Sequence, residues 1–416
     1  MTILQLASVL IATAALFGWI SSRWLKLPLT IGTMVLTIAT AFGLIAVGAY
    51  APGLRPWALG LVHQIDFEAL ILHGMLSLLL FAGAFLLDFE YLSREKFTVA
   101  VLAVPGTLLS ILATSCLMYL ALGLIGLQAT WLECFFFGAL ISPTDPIAVL
   151  EMLRRVGVPK HIQAQLAGES LFNDGLGAVV FLAVLDIARG NLPGAFHQQV
   201  GHFAMLLFLE VGGGLAIGIA GAWITSQLMR LVSVYHIEIL LTLALALGGY
   251  ALADAWHLSA PLEAVAAGIA LRRFNLNHDP HTISHANIDH FWEVIDEVQN
   301  AVLFVLLGLE VLAIPFQRHS LESGLMAIVI VTLVRVAVVA LLLGLIHMVR
   351  RDHQSSLLAL SWGGLRGGLS IALALSVPVN QGREWILATT YIVVVFSIVL
   401  QGGSLDLYFK HRNKTA

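Results

Sequence analysis

Apolar residues run along this chain in stretches of roughly 17 to 30, separated by short polar segments. Thirteen such stretches lie near 3 to 22, 28 to 48, 69 to 88, 97 to 125, 131 to 153, 161 to 188, 200 to 229, 236 to 256, 259 to 271, 291 to 314, 322 to 349, 355 to 378 and 384 to 405. A helix needs about 20 apolar residues to cross a bilayer, and only the ninth stretch falls clearly short. The pattern therefore predicts an all-α polytopic membrane protein with about 13 transmembrane helices. No polar run is long enough to fold outside the membrane, so residues 1 to 416 read as a single integral membrane unit.

Lysine and arginine test that count. Taken loop by loop, 15 of them follow odd-numbered spans and 4 follow even-numbered ones, while Arg335 and Arg366 lie inside spans 11 and 12. Basic residues collect in cytoplasmic loops, which places the N-terminus outside and the C-terminus in the cytoplasm. A missed span in mid-chain would scramble the alternation. With span 7 as a connector, the others divide into two sets of six that enter the membrane from opposite faces, the arrangement of inverted repeats. Span 5 is interrupted by SPTDP and its counterpart, span 12, by GGLRGG at 363 to 368. Broken helices in matching places of two halves point to a transporter's binding site, although glycine and proline are frequent in membrane helices generally.

Composition agrees with the pattern and adds little. The chain is 59% hydrophobic and 11% charged, with a mean hydropathy of +0.92; soluble domains are about 25% charged. The net charge of -4 comes from scattered residues and gives no nucleic-acid footprint. Cys116 and Cys134 fall in or near separate apolar spans and read as small apolar fillers. The first span has no basic residue before it and Arg23 and Lys26 after it, the reverse of a cleavable signal, so it reads as a retained helix.

The chemistry concentrates between 142 and 177, where Asp145, Glu151, Glu169 and Asp174 lie in or beside two apolar spans. Each such group costs about 2.5–3.5 kcal/mol to insert, so a membrane protein that keeps them usually uses them. Pro143 and Pro146 should unwind the fifth helix around Thr144 and Asp145. The freed carbonyls and the Thr144 hydroxyl are hard oxygens suited to an alkali cation, and Asp145 can neutralise the positive end of a half-helix. On the sixth helix, Ser170 and Asp174 are four apart and share a face, with Glu169 and Asn173 on the adjacent stripe. That is a compact site for either a proton or a dehydrated monovalent cation. Buried guanidinium groups need carboxylates or free carbonyls. Helix order suggests Arg366 with Asp145, where the broken helices cross, and Arg335 with Glu169; the swapped pairing stays open.

The runs GALISPTDPIAVL, GESLFNDG, FWEVIDEVQNAVLFVLLGLE at 291 to 310 and GGLRGGLSIALALS at 363 to 376 resemble the monovalent cation-proton antiporters, specifically the NhaP type. The resemblance covers nearly the whole chain. It implies that cation and proton compete at Asp174, that Asn173, Ser170 and Thr144 help hold the ion, and that Glu169 and Arg335 form a structural pair. It implies a six-helix core of helices 4 to 6 and 11 to 13, here 97 to 188 and 322 to 405. That core moves against a dimerisation scaffold, here 1 to 96 and 200 to 321, in a homodimer. Many NhaP-type proteins carry Glu in a helix 3 FEGA context, whereas this chain has FAGA with Ala82. Na+ is then held by fewer charges, or Li+ or K+ is preferred. The long cytoplasmic tail of animal relatives is expected to be absent.

These readings define a secondary antiporter of a bacterial inner membrane rather than an enzyme. Its partners are H+, Na+ (or Li+ or K+), membrane lipid and a second copy of itself, without a cofactor. With Asn173 beside Asp174, a single titrating carboxylate predicts electroneutral exchange. A cation channel would need a lined pore. An intramembrane aspartyl protease using Asp145 and Asp174 would need a facing acid and base around a water. His278, His281, His285 and His290 read as a solvated loop, with a pH sensor or a metal site as alternatives. Glu210, Glu238, Asp254 and Glu263 read mostly as interfacial or scaffold groups.

Overall fold

A computed structural model describes residues 3–25, 29–48, 60, 75–145, 158–189, 196–232, 234–275, 283–311, 318–349, 356–402 and 404. Among the described residues are fourteen helices and no strand. In chain order they are α1 (Ile3–Ile20), α2 (Leu29–Gly48), α3 (Leu76–Phe85), α4 (Phe89–Leu124), α5 (Trp131–Ile141), α6 (Lys160–Ala188) and α7 (Phe196–Met229). They continue as α8 (Tyr235–Ala255), α9 (Ala260–Asn275), α10 (Ile283–Glu310), α11 (Arg318–Val349), α12 (Leu357–Trp362), α13 (Gly368–Leu375) and α14 (Arg383–Phe396). The order matches the thirteen spans, with α12 and α13 as the two halves of the twelfth. Of the fifth, α5 is the half before its break; Glu151 lies outside the described residues.

Seven of these helices are long and apolar enough to cross a bilayer, while α3 and α5 are shorter apolar helices. Their surfaces suit lipid: in α11, Leu321, Leu325, Val329 and Leu333 follow one another every four residues and are all more than half exposed. Such a stripe would be a liability in water and is matched by hydrocarbon.

Two helices begin about two turns earlier than the hydrophobic pattern predicts. α4 starts at Phe89 rather than 97, because the Asp88 side chain accepts from the Glu90 N–H and caps it, and an Arg94–Glu90 pair supports the exposed first turns. α10 starts at Ile283 rather than 291, with Ile288 and Trp292 buried on one face. His285 and His290 are therefore on a helix rather than in the expected loop, and the His290 ring stands 3.8 Å from Glu293 at the surface. His278 and His281 fall outside the described residues. No group of three metal-ligating side chains occurs among the described residues.

The helices pack in two sets. α4, α5, α6, α11, α13 and α14 pack on one another, as do α1, α2, α3 and α7 to α10, with α9 also lying against α6. One close approach in the second set is α7 to α9, where a methyl added to Gly218 would lie 2.5 Å from the Glu263 carbonyl oxygen. Small residues let membrane helices meet backbone to backbone in this way.

Candidate functional site

The two breaks meet where the sequence places them. α5 ends at Ile141, and residues 142–145 leave the helix; Pro143 cannot donate to the preceding turn, and its ring fills the notch of Gly177, where a Cβ would come within 2.5 Å of it. α12 ends at Trp362 and α13 begins at Gly368. At the crossing the Asp145 N–H donates to the Leu365 carbonyl at 2.7 Å, an isolated antiparallel bridge in a helical protein.

Backbone groups freed inside a membrane must find partners within the protein. Several of those at the breaks do. The Arg366 Nη1 donates to the carbonyls of Ser142 (2.5 Å) and Pro143 (3.1 Å). The Arg366 N–H donates to Ser397 Oγ at 2.9 Å, and Gln401 Nε2 donates to the Trp362 carbonyl at 2.9 Å. Ser397 Oγ in turn donates to Gln401 Oε1 at 3.0 Å. Neither Ser397 nor Gln401 was singled out by the sequence; their signal was two polar residues four apart in the last apolar span.

Glu169 and Arg335 form the expected pair. The guanidinium grips both carboxylate oxygens, Nη2 to Oε2 at 2.8 Å, and Nη2 also donates to the Leu360 carbonyl at 2.8 Å. Both side chains are buried. The Arg366 guanidinium donates to the Ser142 and Pro143 carbonyls, and the Asp145 backbone joins the second break. The Asp145 side chain lies over Gly367, the residue that caps α13, where a Cβ would sit 2.6 Å from Oδ2. A carboxylate at that position faces the positive end of the half-helix.

Thr144 and Ser170 are brought together, their hydroxyls 2.6 Å apart and both buried. Asp174 sits one turn further along α6, and the Thr144 N–H is directed at its carboxylate, with Asp145 and Arg366 close enough to act on its charge. Asn173 lies on the Glu169 stripe of α6: its Oδ1 accepts from Thr107 of α4 and its Nδ2 donates to Glu169 Oε1 at 3.2 Å, so it braces the ion pair. Glu169, Ser170, Asn173, Thr144, Arg335 and Arg366 are all buried, while Asp145 and Asp174 keep partial exposure. The crossing thus holds three carboxylates and two guanidinium groups. Ala82 of α3 is fully buried and brings no fourth carboxylate.

A polytopic helical protein whose two broken helices cross beside a partly open carboxylate has the architecture of a secondary transporter. The chain belongs to the sodium/hydrogen exchanger family, whose transmembrane profile matches residues 11–411. It is 38% identical over 410 residues to the Na(+)/H(+) antiporter NhaP of Pseudomonas aeruginosa, covering 97% of this chain and 95% of that one. It is 33% identical over 347 residues to the Na(+)/H(+) antiporter NhaH of Halobacillus dabanensis, covering 83% of each. The fold matches the sodium proton antiporter MjNhaP1 of Methanocaldococcus jannaschii with a TM-score of 0.71 at 19% identity, over 99% of both chains.

Proposed function

We propose that this protein exchanges Na+ for H+ by alternating access, with Asp174 as the group that holds one or the other. The observation that carries the reading is the charge at the crossing. Asp145, Glu169 and Asp174 against Arg335 and Arg366 sum to one negative charge in a region with little water. One monovalent cation neutralises it, whether a proton on Asp174 or Na+ beside it. A doubly occupied or an empty site carries net charge into low dielectric, which is the state least able to cross. Exchange of one cation for one proton follows, and it is electroneutral.

The Na+ ligands in this reading are the Asp174 carboxylate and the Thr144 and Ser170 hydroxyls. With no cation bound, the two hydroxyls satisfy each other; with Na+ bound, both turn a lone pair to it. Asp145 holds the end of α13, Arg366 ties the two breaks together, and Glu169, Arg335 and Asn173 form the brace behind them. Residues 97–188 and 322–405 move against a scaffold of 1–96 and 200–321, in a homodimer of the bacterial inner membrane with its C-terminus cytoplasmic. Li+ and K+ fit the same oxygen set, and Ala82 leaves the selectivity to neutral ligands.

The test is Asp174→Asn in reconstituted vesicles, with Na+, Li+ and K+ added in turn at several pH values and internal pH followed by a fluorescent dye. The amide keeps the shape and loses the proton, so exchange should vanish while the protein stays folded. Retained cation–proton exchange in Asp174→Asn removes the proposal.

A further inference from the structure

One carboxylate takes no part in the crossing. Glu263, in the first turn of α9, is fully buried, and neither of its carboxylate oxygens has a hydrogen-bond partner. Its niche is shaped for it: a Cβ on Gly249 of α8 would collide with Oε1, so a glycine there gives the carboxyl its room. The groups around it offer no counter-charge. From α8, Tyr250 brings its phenol near both Glu263 and Asp254. From α7, Glu210 reaches the start of α9 through its carbonyl, which accepts from the Ser259 N–H, while its carboxylate interacts with Asp186 and His257. On α6, Asp174 is the chain neighbour of Gly175; α3 is without a titratable side chain, and Arg272 and Arg273 lie at the other end of α9. No cationic side chain acts on Glu263 among the described residues.

An ionised carboxylate in such a fully buried place has neither donor nor cation among the described residues, whereas the neutral acid is tolerated. Glu263 belongs to no group of three metal-ligating side chains among the described residues. The position also matters. The preceding residue, Leu262, packs into Gly175 next to Asp174, where a Cβ would lie 2.6 Å from Leu262 Cδ2 and 4.0 Å from its Cα. The backbone carrying Glu263 is therefore the backbone that touches α6 at the ion site.

We propose that Glu263 is a second proton-binding carboxyl of this protein, which holds its proton in the conformation described here, where α9 packs closely on α8 beside the ion site. Loss of that proton obliges the carboxylate to leave the niche or to draw water into the α8–α9 seam, and either moves Leu262 against Gly175. Acid then favours the observed packing, and rising pH releases it. The transport consequence rests on the exchange reading above, but the protonation itself does not.

Two measurements with Glu263→Gln test this. Infrared spectra of the purified protein should show, near neutral pH, the C=O stretch of a protonated buried carboxyl, and that band should be lost in Glu263→Gln. In vesicles, competition at Asp174 moves the apparent KM for Na+ with pH, whereas protonation of Glu263 moves the maximal rate. The wild type should gain maximal rate as pH rises, and Glu263→Gln, permanently neutral, should lose that pH step while keeping the pH dependence of KM. Gly249→Ala, which evicts the carboxyl without removing it, should also lose the band, so the result does not depend on one variant folding. A band unchanged by Glu263→Gln overturns the proposal, and so does a maximal rate whose pH step survives in that variant. Failure of Asp174→Asn to stop exchange would leave the infrared outcome standing, which separates the two readings.

Discussion

Arg335 and Glu169 illustrate what a charge needs in a dry interior. Two donors meet two acceptors in fork geometry, and the Leu360 carbonyl takes up a further contact of the same guanidinium. Removing either partner strands the other, at about 3–5 kcal/mol. Arg335→Ala and Glu169→Ala should each lower the Tm of the detergent-solubilised protein clearly, and the double substitution by less than the two losses added. Additive losses would show that the pair is not coupled. Asn173 belongs to the same brace. Its amide donates to Glu169 and accepts from Thr107, a combination that an aspartate could not supply without placing two carboxylates against each other.

The broken helices depend on groups far from them in sequence. Gln401 donates to the Trp362 carbonyl and accepts from Ser397, which in turn accepts from the Arg366 N–H. Gln401→Leu leaves a buried acceptor unmet and should cost about 1–3 kcal/mol, read as a lower Tm. Ser397→Ala should act in the same direction, and the double change should be less than additive because both act on one break. The breaks themselves could be read from Pro143, Pro146 and the glycines of 363–368, since those residues act locally on the backbone. The grouping of Thr144, Ser170 and Asp174 followed from helical spacing, and the Arg335–Glu169 pair from helix order. The carbonyls that Arg366 reaches were not legible, because carbonyls and a carboxylate serve a guanidinium alike and spacing does not say which ones the fold presents. The bracing role of Asn173 was hidden for a related reason: the face of α6 is periodic in sequence, but Thr107 comes from α4. The early starts of α4 and α10 were missed because their first turns carry charges and histidines that read as loop, while a cap at Asp88 and buried Ile288 extend the helices past the apolar stretch.

Taken as a whole molecule, the transporter is expected to ignore the membrane potential. Each net charge carried across would couple by about 2.3 kcal/mol per 100 mV, and the single uncompensated charge at the crossing leaves none to carry once an ion is bound. Imposing a potassium diffusion potential with valinomycin should leave the Na+ and H+ null point of exchange unchanged. A shifted null point, or transport currents that vanish in Asp174→Asn, would mean that a second carboxylate at the crossing cycles its proton as well. The tie between the two halves bears also on biosynthesis. Arg366 reaches back 224 residues to the Ser142 carbonyl, and Leu365 is likewise far downstream of Asp145. During synthesis, the first half therefore emerges with bare carbonyls and an unmatched amide at membrane depth, groups that lipid cannot satisfy. The fifth helix can settle fully only after the twelfth has left the ribosome, so the insertion machinery or water must shelter the 142–145 segment for the time it takes to make most of the remaining chain.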